Sequence, residues 1–245
     1  SAASDVYKRQ PLDLEASRIY DGTTVINGSD FSTFGNIVSG ETLSVSGSGT
    51  VTSANVGTGK AVTSGSLALV NGTGLASNYL INSRTAEVTG RPVTISGSRS
   101  YDSTTTADSS ILTITSGVSG ESLSLTGAGI LGAASAGTQT ITNNNTLAIA
   151  DGTGSASNYT LNGASINVTV IPKTLNVTLA REYDGTTTVA GALLAPTFDS
   201  LQGGETLAIS GTGSVANANV GSSKAVTLGT ICLLYTSDAA DEVLG

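Results

Sequence analysis

The block Tyr20-Asp21-Gly22-Thr23-Thr24 returns as Tyr101-Asp102-Ser103-Thr104-Thr105 and again as Tyr183-Asp184-Gly185-Thr186-Thr187, 81 and 82 residues apart. Other marks keep step with it. Ser39-Gly40-Glu41-Thr42-Leu43 recurs as Ser119-Gly120-Glu121-Ser122-Leu123 and as Gly203-Gly204-Glu205-Thr206-Leu207. Ala54-Asn55-Val56-Gly57 matches Ala218-Asn219-Val220-Gly221, with a weaker copy at Ala134-Ser135-Ala136-Gly137. Ala76-Ser77-Asn78-Tyr79 recurs as Ala156-Ser157-Asn158-Tyr159. Several landmarks holding one period in one order make the chain a tandem array. The units expected are 11–90, 91–171 and a truncated 172–231.

Each unit opens with a proline and a short alternating run: Pro11-Leu12-Asp13-Leu14, Pro92-Val93-Thr94-Ile95, and Pro172 ahead of Leu175, Val177 and Leu179. Period-2 alternation predicts half-buried strands, and proline suits their first residues. Asp21-Gly22 and Asp184-Gly185 are turn dipeptides, since Asp bonds backbone two residues on and Gly accepts φ > 0. Asp102-Ser103 departs from this, which suggests that positive φ is not compulsory there. No window carries apolar residues at helical spacing, so no substantial helix is expected. Six to eight short strands per unit predict an all-β fold, a row of small Ig-like β-sandwiches. A continuous parallel β-helix is the rival. The third unit runs out before an Asn-Tyr strand and a closing strand like those of the other two.

Composition excludes several functions. A net charge of −8 disfavours nucleic acid and anionic membranes as partners. No apolar run approaches membrane-spanning length. With no His and one Cys there is no Ser-His-Asp triad and no cysteine-based zinc site. No cofactor is expected, and the chain is expected not to be an enzyme. The ends, residues 1–10 and 232–245, fit neither period nor composition. Asp5-Val6-Tyr7-Lys8-Arg9-Gln10 and Cys232-Leu233-Leu234-Tyr235-Thr236-Ser237-Asp238 resemble translated sequencing-adapter read-through and are set aside as artefact tails.

With Tyr-Asp-Gly-Thr-Thr, the mid-unit Gly-Glu, Asn-Val-Gly-x-x-Lys and the late Asn-Tyr in view, residues 11–231 resemble the YDG repeat domain of large bacterial surface and secreted proteins. The second unit departs at Ser103 and at Gly137-Thr138-Gln139-Thr140, where the others place Lys60 and Lys224. The resemblance implies a non-catalytic stalk or spacer from an adhesin similar to filamentous-haemagglutinin-type exoproteins. The setting implied is extracellular or the bacterial cell surface, and the partners are neighbouring repeats. The alternative is an adhesive module whose Gly/Asn/Thr-rich turns bind glycans or matrix.

The residues singled out are the repeat motif itself: Tyr20, Asp21, Gly22, Tyr101, Asp102, Tyr183, Asp184, Gly185, Asn78, Tyr79, Asn158 and Tyr159. Their expected role is structural, with the Asp residues in Asx turns and Glu41, Glu121 and Glu205 as solvent-facing strand starts. A glycosidase pair or calcium site built from these carboxylates is the sharper but weaker reading. Gly57-Thr58-Gly59-Lys60 only superficially resembles a phosphate loop, lacking both its first Gly and the Ser/Thr after Lys. Lys60 or Lys224 crosslinked to Asn55 or Asn217 is a remote idea, as is sugar on Asn71, Asn158 or Asn167.

Overall fold

A computed structural model describes residues 8–191, 197–198 and 201–235. The chain is all-β, arranged as several small sheets with no closed barrel among the described residues. Helical structure is confined there to short 3-10 turns, and no helix is long and apolar enough to cross a membrane. Two compact bodies form. Of the described residues, one comprises 8–99, 105–133 and 138–169; the other comprises 100–104, 134–137 and those from 170 to 235.

In the first body, β1 (Gln10–Ile19) runs between β3 (Phe31–Gly35) and β8 (Tyr79–Thr89), antiparallel to the former and parallel to the latter. β6 (Gly57–Ala61) closes the sheet on the far side of β8. Two ribbons complete the repeat: β2 (Val25–Asn27) with β5 (Ser48–Thr50), and β4 (Leu43–Ser46) with β7 (Ala68–Asn71). Alternation does the sorting. Leu12, Leu14 and Ala16 of β1 point into a core with Ile26, Phe31, Val45, Val62 and Ala86, while the residues between them turn outward or to the core margin. The Asn-Tyr strand and the closing strand, expected separately, are one strand, β8. A register shift between Leu12 and Asp13 skips Asn82, whose amide donates to Asp13 Oδ1 at 2.8 Å.

The second repeat copies this order after the single residue Gly90. Its main sheet runs β11 (Leu112–Thr115), β9 (Arg91–Ser100), β17 (Tyr159–Ile171), β14 (Gly137–Gln139). β12 (Leu123–Thr126) pairs with β16 (Ala148–Asp151), and β10 (Thr106–Asp108), β13 (Ala128–Leu131) and β15 (Ile141–Asn143) form the third group.

In the second body, β18 (Val177–Thr178) pairs with β20 (Thr197–Phe198), and β22 (Thr212–Val215) lies between β19 (Thr188–Ala190) and β23 (Val226–Thr227). β21 (Leu207–Ser210) pairs with β24 (Cys232–Tyr235). Residues 232–235, set aside on composition, thus take the register on β21 that β7 takes on β4 and β16 on β12. Among the described residues no strand lies beside β18 as β8 lies beside β1. Val177 was expected to be half-buried; it is 37% exposed, whereas Leu14 and Ile95 at the same position are 0% and 1%. Alternation selects a face, but burial needs a neighbour to cover it.

Candidate functional site: a tyrosine and glutamate clasp

Each Tyr-Asp block is an Asx turn. Asp21 Oδ1 accepts the Thr23 N–H at 2.8 Å and the Thr23 hydroxyl at 2.9 Å. Asp102 holds Thr104 through the same two bonds, both 2.9 Å, and Asp184 holds Thr186 at 2.8 and 2.9 Å. The next residue is left-handed in all three: φ is 80° at Gly22, 62° at Ser103 and 77° at Gly185. The expectation from Ser103 is therefore corrected. Positive φ is built into the turn, and Ser103 carries the strain that glycine avoids.

One recurrent residue escaped the sequence reading. An arginine stands two places before each tyrosine, as Arg18, Arg99 and Arg181. Arg18 donates to Asp21 and to the Thr23 carbonyl; Arg181 does the same to Asp184 and the Thr186 carbonyl. At Asp21, burial pushes the carboxyl up, but the Thr23 bonds and Arg18 outweigh it and hold the group below its usual range. Asp184 is lowered chiefly by the Thr186 N–H.

The turn aims its tyrosine at the following repeat. Tyr20 is buried among Val93, Ile95, Leu147 and Tyr159, in the core of the second repeat. Its hydroxyl donates to Glu121 Oε1 at 2.6 Å. Tyr159, from the second repeat's own Asn-Tyr, donates to Glu121 Oε2 at 2.6 Å. The rings meet edge to face, with centroids 5.5 Å apart and planes at 78°, a favoured aromatic geometry. Burial first, and then the Glu121 carboxylate, push the Tyr159 phenol up to about 12; the same causes raise Tyr20. Gly154 makes room, because a Cβ there would stand 2.4 Å from Glu121 Oε2.

The pattern repeats elsewhere. Within the first repeat, Tyr79 donates to Glu41 Oε2 and accepts the Val38 N–H. Within the second body, Tyr101 of the Tyr-Asp block donates to Glu205. The three glutamates, expected to face solvent, are half-buried acceptors for tyrosine hydroxyls. The sequence signal was present, since Tyr-Asp, Gly-Glu and Asn-Tyr share one period, but nothing local says that they meet.

Asn158 makes the second tie between repeats one and two. It is 2% exposed; its Oδ1 accepts the Val56 N–H at 3.0 Å and its Nδ2 donates to Asn55 Oδ1 at 3.1 Å. That burial removes Asn158 as a sugar acceptor in the folded chain. Asn78, the same residue one repeat earlier, is half-exposed. Lysines brace the partner loop: Lys60 Nζ donates to the Ser53 carbonyl at 3.4 Å, and Lys224 Nζ to Asn217 O at 3.0 Å and Oδ1 at 2.7 Å. Gly57-Thr58-Gly59-Lys60 lies within β6 and opens no helix. Among the described residues no group of three His, Cys, Asp or Glu is placed to hold a metal ion. Chemically, the clasp is a carboxylate with each oxygen taken by a neutral phenol, which suits holding rather than reacting.

A model of the YDG domain matches residues 10–89 and 171–242. The chain belongs to the YDG-domain family. The two YDG matches fall on the first and third repeats, and the second match continues past Ile231. Both departures of the second repeat, at Ser103 and at Gly137-Thr138-Gln139-Thr140, lie in the stretch between the matches. No curated protein and no solved structure matches the chain.

Proposed function

We propose that this YDG chain is a non-catalytic spacer, a run of β-sandwich repeats from a bacterial surface or secreted adhesin that holds a binding region away from its anchor. The observation that carries the reading is the use of the Tyr-Asp motif to tie one repeat to the next, as Tyr20 to Glu121 and Tyr101 to Glu205. A residue set devoted to joining repeats suits a part whose job is length and stiffness, with the binding done elsewhere. In such an array, stability is close to a sum of units and nearest-neighbour interfaces. The partners are then the adjoining repeats, and the setting is outside the cell. On this reading, residues 1–10 and 232–245 are adapter-derived, which resequencing the gene across residues 10 and 232 tests directly.

Small-angle scattering tests the spacer role. An elongated particle, with cross-section set by one repeat, is the expected result. A compact globule would overturn the proposal. Screening the chain against glycans and matrix proteins provides the opposing outcome, since selective binding would make it an adhesive module.

A further inference from the structure

The junction of the first repeat with the second and that of the second with the third are built from different residues. At the first, Gly22 of the Asx turn faces the loop that leads to Glu121. A Cβ placed on Gly22 would stand 2.9 Å from Val118 Cγ1 and 3.6 Å from Glu121 Oε1. Carbon atoms pack best at about 3.5–4.0 Å, and valine, branched at Cβ, has little freedom to turn a methyl aside. Gly22 is thus needed twice over, for its φ of 80° and for the valine in front of it.

Ser103 holds the same place in the second junction, with φ 62°, and keeps a side chain there. The loop that meets it has changed at two neighbouring positions. Gln202 and Gly203 stand where the first junction has Val118 and Ser119. Glutamine carries one unbranched Cγ in place of two methyls. On Gly203 a Cβ would lie 2.8 Å from Ser103 Oγ and 3.3 Å from Ser103 Cβ, so its bare backbone leaves room for the serine. Both loops still deliver a glutamate to a tyrosine, Glu121 to Tyr20 and Glu205 to Tyr101. The clasp is common to the two junctions, but the turn and the loop beside it are not.

We propose that these three positions set which repeat can follow which. A glycine turn accepts either loop, whereas the serine turn accepts Gln202-Gly203 and refuses a Val-Ser loop. Repeats one and two both carry Val-Ser, as Val38-Ser39 and Val118-Ser119. The turn that ends in Ser103 therefore rejects their loops and docks the loop of the third repeat. Specificity of this kind comes from a clash with the wrong partner as much as from contacts with the right one. It matters in tandem arrays, where docking of the wrong neighbours is a characteristic failure of folding. The rule holds whether or not the chain serves as an adhesin spacer.

The test transplants one loop onto the other within the full chain. Tyrosine absorbance against pH reads the first junction, because Tyr20 and Tyr159 ionise late while Tyr20 is seated beside Glu121. Val118→Gln with Ser119→Gly should keep that late ionisation, since Gly22 tolerates both loops. Gly22→Ser alone should lose it, and Gly22→Ser combined with the transplanted loop should regain it. Backbone strain at position 22 is the same with either loop, so strain alone cannot produce the recovery. Late ionisation kept by Gly22→Ser with the native loop, or not restored by the transplant, overturns the proposal. The converse exchange decides the matter if Gly22→Ser fails to fold. Gln202→Val with Gly203→Ser should lower the urea midpoint of the wild type and leave that of Ser103→Gly unchanged. An equal fall in both backgrounds overturns the proposal.

Discussion

The Tyr20 hydroxyl lies 2.6 Å from Glu121 Oε1, although 101 residues separate the two in sequence. Tyr20 directly follows one repeat's opening strand and is buried in the next repeat's core. The Tyr-Asp motif is therefore two devices in adjacent residues. The Asp closes its own turn, and the Tyr fastens the neighbour.

Removing the Tyr20 hydroxyl should weaken that fastening without emptying the core. Tyr20→Phe leaves one oxygen of Glu121 without its donor, and a hydrogen bond to a charged group is worth about 1.5–3 kcal/mol. A loss of about 1–2 kcal/mol in urea unfolding is expected, because the half-buried carboxylate regains some water. Tyr20→Ala should cost about 3–5 kcal/mol by adding a cavity. Tyr183→Phe, at the counterpart that is 67% exposed, should change stability by less than about 0.5 kcal/mol. Equal effects at positions 20 and 183 would show that the clasp contributes nothing.

The clasp also predicts alkaline sensitivity. Burial and the Glu121 carboxylate push the Tyr159 phenol up to about 12 from its ordinary 10.0, so the folded form keeps a proton that the unfolded form gives up. Its contribution is fully present below pH 10 and is lost as pH rises toward about 12. Tyr20 shifts in the same direction. Stability should therefore fall through that window, together with late tyrosine ionisation in ultraviolet absorbance. Glu121→Gln removes the charge that helps raise both phenols, so ionisation should begin at lower pH. An unchanged titration in Glu121→Gln would assign the whole shift to burial.

Ser103 gives a local test of the turn. A left-handed non-glycine residue costs about 1–2 kcal/mol, partly offset by the greater chain entropy that glycine gives up on folding. Ser103→Gly should gain about 0.5–1 kcal/mol. The position facing it has changed in the opposite sense: Gly203 stands where the other repeats have Ser39 and Ser119. A Cβ on Gly203 would lie 2.8 Å from Ser103 Oγ. Gly203→Ser should therefore be more harmful in the wild type than in the Ser103→Gly background. A double-mutant cycle reads the difference as a coupling energy, and additivity would refute the contact.

Much of the fold was legible because it is local. Leu12, Leu14 and Ala16 alternate as a strand must, and Asp21-Gly22 is turn chemistry that any context would respect. The clasp was not legible for the same reason. Glu121 at the start of a strand looks like an ordinary solvent-facing charge, and only distant Tyr20 and Tyr159 make it otherwise. Glycine at 154 reads as one more turn residue until the carboxylate beside it is seen. Val177 shows the reverse failure, since its alternation was right and its burial was not.

That contrast sets the last prediction, an uneven stability along the chain. β1 pairs with β8 along all ten of its residues and with β3 over Asp13–Ala16, whereas β18 has two residues and one partner. In the first repeat Leu12, Leu14 and Ala16 are 0–4% exposed; in the third, Val177 is 37% and Tyr183 67% exposed. Full burial of a large apolar side chain contributes roughly 1.5–3 kcal/mol. Two such residues left uncovered forfeit on the order of 3 kcal/mol even after ordering entropy is recovered. Each 1.4 kcal/mol is tenfold in an opening equilibrium, so about a hundredfold difference in exchange protection follows. Amides of β1, β8 and β9 should be the slowest to exchange, and those of β18, β19, β22 and β23 should exchange about two orders of magnitude faster. The pairing of β24 with β21 does not remove the difference, because it adds backbone bonds while Leu233 and Leu234 stay 48% and 46% exposed. Equal protection of β1 and β18 would mean that the third repeat is held by contacts other than those that hold the first.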